Sequence, residues 1–249
     1  MSWSEEELRS YRDCGYALRR GLLSPAEVGD LREALPQLLE GKGDGMHRER
    51  ERGGAVRQVY LAHRFVGAFA GVVRHPGILE PVMQIVGGDV YVWHSKLNVK
   101  EAFEGTVWLW HQDYGYWMWD GVGPRLVSAM VILDRATANN GCMMVVAGSH
   151  KWGRQEHFAD EETTSYRQWC IDTGTLRERL REEQIEQITG EPGDVLFFDC
   201  NLVHGSGHNM SPLPRKVFIT AYNSVDNRPR PVENPRPDWV VSRRFDPVR

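Results

Sequence analysis

The 249-residue chain has only four cysteines, Cys14, Cys142, Cys170 and Cys200, and they are too far apart to form a CxxC pair. That spacing supports neither a disulfide framework nor a structural zinc site. Cys142 and Cys200 lie in apolar, strand-like runs and are expected to be buried, reduced thiols. No window of 18 apolar residues occurs, which excludes a membrane-spanning helix. Clusters of Lys and Arg interleaved with aromatics are also missing, so nucleic acid is not an expected partner. The start, MSWSEEELRSYRDCGYALRR, is acidic and amphipathic where a secretory leader is basic and then apolar, and a cytoplasmic location is expected. What is present is ordinary for a globular protein: 41% hydrophobic residues, 26% charged residues and a net charge of -4.

The first 90 residues read as helical. Ser4 with Glu7, and Ser24 with Glu27 and Pro25, are helix-start signals ahead of YRDCGYALRR and of AEVGDLREALPQLLEG. A third helical run, from about Leu61 to Val86, is interrupted by Pro76 and Pro81. Between them, GKGDGMHRERERGGAVRQVY (residues 41–60) has no periodicity and reads as a solvated, charged loop, with an active-site lid as the alternative. From Val90 the pattern changes to short strands: VYVWHSKLNVK, TVWLWHQD, RLVSAMVILD, CMMVVAG, QIEQITG, DVLFFDCN and RKVFITAYNS. Such spacing indicates a β-sandwich or barrel. Residues 152–181 form a polar insertion whose last part looks helical. The tail from Val225 holds five of the thirteen prolines and reads as an irregular extended arm.

The chemistry begins in WHQDYGYW (residues 110–117). Positions i and i+2 of a strand share a face, so His111 and Asp113 would both point into a barrel. An imidazole and a carboxylate are two corners of the facial triad that binds non-haem Fe(II). His204, after DVLFFDCNLV and beside a Gly-Ser-Gly turn, is the best third ligand. Arg215, eleven residues later, opens the next strand, where its planar guanidinium suits two-point binding of a carboxylate, and Ser206 can donate a second hydrogen bond. Two histidines and a carboxylate also suit zinc. A zinc hydrolase and a non-catalytic jelly roll that binds a metal and a dicarboxylate therefore stand as alternatives.

Together and in order, HQDYGYW, NNGCMMVVAGSHK, EPGDVLFF, VHGSGHN and Arg215 resemble the phytanoyl-CoA dioxygenase family, the Fe(II)- and 2-oxoglutarate-dependent oxygenases that include ectoine hydroxylase. The resemblance is firm from about Val90 to Ser224. It implies a mainly β fold with flanking α, a cupin-like double-stranded β-helix or jelly roll with the N-terminal helices packed on one sheet. It further implies one oxygenase domain over 1–249, divided into a helical part (1–89), the β-helix core (90–224) and the arm (225–249). The implied iron ligands are His111, Asp113 and His204. The implied 2-oxoglutarate contacts are Arg215, Ser206 and Asn98, with His94 at a position that is glutamine in ectoine hydroxylase. His208 is a rival ligand, but it lies seven residues from Arg215 where the family spacing is eleven.

Trp117 matches a tryptophan that lines the active site of ectoine hydroxylase. Tyr114, Tyr116, Lys96 and Arg57 join it as substrate-pocket candidates, followed by Gln58, Lys100 and Arg125, while His150 in GSHK reads as a turn residue. Lys96 replaces an arginine that contacts ectoine, Val217 replaces an asparagine, and YGYWMWDGVGPRLVS replaces an acidic stretch. These departures make the HQDYGYW form more similar to other phytanoyl-CoA-dioxygenase-domain proteins. The implied reaction hydroxylates an unactivated C–H bond of a small molecule with O2 and 2-oxoglutarate, releasing succinate and CO2. Related halogenases replace the carboxylate ligand by a small residue, so Asp113 favours hydroxylation; desaturation or cyclisation would use the same ligands. The oligomeric state is left open.

Overall fold

A computed structural model describes residues 2–41, 44–49, 54–164 and 167–249. Both helix-start signals form reciprocal caps. The Ser4 hydroxyl accepts the Glu7 N–H at 3.3 Å while the Glu7 carboxylate accepts the Ser4 N–H at 2.7 Å, and Ser24 and Glu27 repeat the pair. The first helix, α1 (Glu5–Cys14), ends at Gly15 with φ +83°, a left-handed conformation that costs glycine little. A Cβ there would lie 2.3 Å from the His150 ring. The expected continuation of this helix through YALR is instead a strand, β1 (Tyr16–Arg19), paired with a strand near the C-terminus. The second helical run divides into α2 (Pro25–Glu33) and α3 (Leu35–Leu39), because Pro36 has no N–H to continue the ladder.

The charged stretch 41–60 differs most from expectation. Residues 42, 43 and 50–53 lie outside the described residues. The remainder forms a hairpin, β2 (Met46–Arg48) and β3 (Val56–Tyr60). Arg57 and Gln58, read as loop residues, are buried. VRQVY lacks alternation because its polar groups find partners inside the protein: Arg57 donates to Glu49 at 2.9 Å and to the Val107 carbonyl at 2.7 Å. The third helical run gives α4 (Ala62–Phe65), α5 (Gly67–Val72) and α6 (Pro76–Val86); Pro76 starts α6, and Pro81 lies within it rather than breaking it.

The remaining elements are β4 (Val90–Lys100), β5 (Trp108–His111), α7 (Asp113–Trp117), β6 (Leu126–Ile132), β7 (Met143–Val146), β8 (His157–Asp160), β9 (Gln168–Ile171), α8 (Thr173–Arg179), β10 (Ile185–Ile188), β11 (Val195–Asp199), β12 (His204–Ser206) and β13 (Arg215–Ser224). Among the described residues they build an antiparallel sheet of seven strands, β1-β11-β6-β13-β4-β3-β2, facing one of four, β10-β7-β12-β5. This is the jelly roll implied by the resemblance. The polar insertion adds the β8–β9 hairpin and then α8.

Strand alternation sorts the large sheet into two faces. Leu97, Val99, Val131, Phe197 and Phe218 point outward, where Leu31, Phe69 and Ile78 of the helices cover them. Met130, Leu196, Val217 and Ile219 point inward against Met143, Val145 and Ile188 of the small sheet. The arm carries no helix or strand, yet it does not extend into solvent. Val240, Val241 and Ser242 are buried, and Ser242 N–H donates to the Trp93 carbonyl at 2.7 Å, which ties the arm to β4.

Candidate metal centre and its two lobes

Two strands and one turn bring the three proposed ligands together. His204 of β12 is the cross-strand partner of His111 at the end of β5, and their ring centroids are 4.2 Å apart. Gln112 is still extended, so strand alternation carries one residue past β5 before Asp113 starts α7. One ligand atom from each of His111, Asp113 and His204 lies within 4.8 Å of the others, and all three residues are buried. The Nδ1 of His111 faces the Leu109 carbonyl at 2.6 Å and that of His204 faces the Leu202 carbonyl at 2.9 Å. A carbonyl accepts, so Nδ1 carries the proton and each Nε2 keeps its lone pair.

Burial pulls both imidazole pKa values down, which keeps the rings neutral as ligands require. Burial pushes the Asp113 carboxyl up, but Lys96 and the two imidazoles outweigh it and hold the group well below the usual carboxylate range. Lys96 Nζ lies 3.3 Å from one Asp113 oxygen, and the Ser128 hydroxyl donates to the other at 3.3 Å. Two imidazoles and a carboxylate on one side of a cavity fit a facial iron triad.

The cavity has two lobes that share Lys96, Trp108 and His111. The first is walled by Asn98, Met143, Ser206, Arg215 and Val217. Asn98 Oδ1, Ser206 Oγ and Arg215 Nε are buried there without hydrogen-bond partners. Arg215 makes no hydrogen bond or ion pair with any described residue, and burial lowers its pKa to about 10, which leaves it charged at neutral pH. A buried, unpaired cation beside two unpaired polar side chains fits a ligand carboxylate.

The second lobe is walled by Gln58 and Tyr60 of β3, His94 of β4, Tyr116 and Trp117 of α7, and Arg236 of the arm. His94, expected against 2-oxoglutarate, faces this lobe: its Nδ1 is 2.8 Å from the Val240 carbonyl, because β4 turns it towards the arm. Tyr114 also departs from expectation. The segment is helical, so positions three and four after Asp113 share its face while the next residue does not. Tyr116 and Trp117 therefore reach the cavity, and the Tyr114 hydroxyl bonds the Val122 carbonyl at 3.0 Å. Arg57 stands behind the wall, its guanidinium 4.0 Å from the Trp108 ring centroid.

Of the weaker candidates, only Gln58 lines the cavity. Lys100 is buried behind it and donates to the Gly207 carbonyl at 2.6 Å, while Arg125 is on the surface, 3.2 Å from the Val86 carbonyl. His208 is exposed and outside the ligand cluster, and His150 donates to the Arg12 carbonyl at 3.0 Å. Cys142 and Cys200 are buried free thiols, as expected. Sequence reading missed Tyr60, Trp108 and Arg236. Trp108 had a signal, because it lies in the strand that delivers His111. Arg236 had none: it is held in place by its Nε bond to the Asp120 carboxylate at 2.8 Å, more than a hundred residues away.

Residues 11–217 match the family described as phytanoyl-CoA dioxygenase. The chain is 33% identical to the ectoine dioxygenase of Nocardia farcinica, covering 99% of this chain and 88% of that one, and 31% identical to the ectoine dioxygenase of Bordetella bronchiseptica, covering 99% and 85%. Its fold superposes with a TM-score of 0.84 on the crystal structure of EctD from S. alaskensis with 2-oxoglutarate and 5-hydroxyectoine, at 30% identity over 97% of this chain and 84% of that one. The carbocyclase SnoK from nogalamycin biosynthesis shares the fold, with a TM-score of 0.72, 24% identity, and coverage of 93% and 88%.

Proposed function

The chain belongs to the phytanoyl-CoA dioxygenase family, and from that premise we propose how its residues divide the work of an Fe(II)- and 2-oxoglutarate-dependent dioxygenase. His111 and His204 would hold the iron through Nε2 and Asp113 through its carboxylate. When bound, Fe(II) with 2-oxoglutarate and O2 supplies the oxidising chemistry that hydroxylates an unactivated C–H bond of a small molecule and releases succinate and CO2. Arg215 and Ser206 hold the far carboxylate of 2-oxoglutarate, and Asn98 orients its other end.

One observation carries this division: the buried Arg215 guanidinium has no ion-pair partner among the described residues, and it lies in the lobe that opens onto the metal cluster. Burying such a charge unpaired is costly, and a dicarboxylate offsets the cost.

The second lobe supports a substrate class. Lys96 and Arg236 set two cations on its wall among Trp108, Tyr116 and Trp117. We propose a small carboxylate, oriented by these cations and enclosed by the aromatic rings. Ectoine, named in the relatives, is the first compound to test, with Lys96 and Val217 as the departures that would shift preference within that class. Trp117 is buried on this side of the cavity, its ring centroid 6.2 Å from that of His94. We also propose that the chain acts as one oxygenase domain, since both the helices and the arm pack on the core, and that it works in the cytoplasm, where free thiols persist.

Anaerobic addition of Fe(II) and then 2-oxoglutarate should produce a visible metal-to-ligand charge-transfer band, and succinate release should rise with the correct carboxylate. Bound Fe(II) with no band would overturn the assignment.

A further inference from the structure

Three histidines of the described residues are built alike. His157 directs Nδ1 at the Gln155 carbonyl, two residues earlier, at 2.9 Å, just as His111 and His204 do with theirs. Its Nε2 is therefore also a lone-pair acceptor. In His157 that lone pair accepts the backbone N–H of Gln112 at 2.9 Å. Gln112 is the residue between the first two proposed ligands.

The bonds close into a ring. Gln112 N–H donates to His157 Nε2, His157 Nδ1–H donates to the Gln155 carbonyl, and Gln155 N–H donates to Gln112 Oε1 at 2.7 Å. The Gln112 side chain is fully buried, and its Nε2 donates to the Gly153 carbonyl at 2.9 Å and the Asn201 carbonyl at 2.7 Å. Asn201 lies three residues before His204, so one amide spans from the turn carrying His111 and Asp113 to the segment carrying His204. The His157 ring also lies flush on α7: a Cβ on Gly115 would be 2.3 to 2.6 Å from its atoms.

We propose that His157 and Gln112 are positioning residues that fix the geometry at which His111, Asp113 and His204 meet the metal, and so raise metal affinity without touching the ion. Partners of this kind, one step removed from the ligands, typically change metal affinity about 10- to 100-fold. The inference rests on the metal centre proposed above.

The test is anaerobic titration with Fe(II) alone, followed by 2-oxoglutarate and the charge-transfer band, with the melting temperature of each apo variant as a control. His157→Gln places an amide oxygen where Nε2 accepts, whereas His157→Asn keeps a donor for Gln155 and loses the acceptor for Gln112. Gly115→Ala displaces the ring while leaving every hydrogen-bonding group present. His157→Asn and Gly115→Ala should weaken Fe(II) binding about tenfold or more and shift the band, and His157→Gln should stay within about threefold of wild type. Wild-type Fe(II) affinity in His157→Asn and Gly115→Ala, or equal weakening in His157→Asn and His157→Gln, would overturn the proposal. A wild type that binds no Fe(II) would overturn the metal centre itself.

Discussion

The two lobes of the cavity are made in different ways. The lobe of Arg215 is built wholly from strands of the two sheets, β4, β5, β6, β7, β12 and β13. Cross-strand register fixes which residues share a row there: Asn98 lies opposite Val217, and Lys96 opposite Ile219. The other lobe also borrows from outside the sheets, adding Tyr116 and Trp117 of α7 and Arg236 of the arm to Gln58 and Tyr60 of the β2–β3 hairpin. A lobe made by register has little freedom to vary one wall alone. A lobe made by docked segments can change its lining without disturbing the sheets, which suits the side proposed to meet the substrate.

Substitutions across the lobes should expose that difference. The largest effect is expected at the shared centre: His204→Ala should abolish the charge-transfer band and lower succinate release more than about a hundredfold, beyond the range for residues that only support ligands. Next, Arg215→Ala should cost about 3 kcal/mol of 2-oxoglutarate binding, a roughly hundredfold weaker titration, with Fe(II) binding retained. It should leave the melting temperature nearly unchanged, because the Arg215 side chain has no hydrogen-bond or ion-pair partner among the described residues to abandon.

Arg236→Ala should behave in the opposite way. It leaves the buried Asp120 carboxylate without its guanidinium, so unfolding free energy measured in urea should fall by about 2 kcal/mol, while 2-oxoglutarate still gives the band. Equal loss of stability in the two arginine variants would erase the distinction between the lobes.

A last effect, of a different kind, concerns acid. Burial, aided by Arg64 and Arg74, pulls the His63 pKa from its ordinary 6.5 to about 4. Between these values the unfolded chain takes up a proton that the folded chain refuses, so stability falls as pH drops through that window. The His63 ring is 2.6 Å from the Ser95 hydroxyl of β4, next to the hairpin. The urea midpoint should therefore decline from pH 6.5 to pH 4, and decline less in His63→Gln.

Much of this was legible before any coordinates. The two capping boxes, the core strands and the pairs His111 with Asp113 and His204 with Arg215 depend on local chemistry or on short, ordered spacings, and the family resemblance joined the two pairs. The failures share a cause. YALR reads as helix because only its pairing with β11 makes it a strand, and VRQVY reads as loop because the partners of Arg57 lie at Glu49 and Val107. Tyr114 was misplaced because the period changes from two to 3.6 at Asp113, a point that the closely spaced aromatics Tyr114, Tyr116 and Trp117 do not mark.

By itself, the sequence determined the β-rich character of the core and the pairs His111 with Asp113 and His204 with Arg215, since each is written in residue types at short fixed separations, and the family resemblance joined the two pairs into one candidate site. Only the tertiary structure decided the second lobe, the proposed substrate side. Its walls meet through contacts such as Arg236 with Asp120 and His94 with Val240, separated by more than a hundred residues, and a contact that long leaves no period in the chain to read.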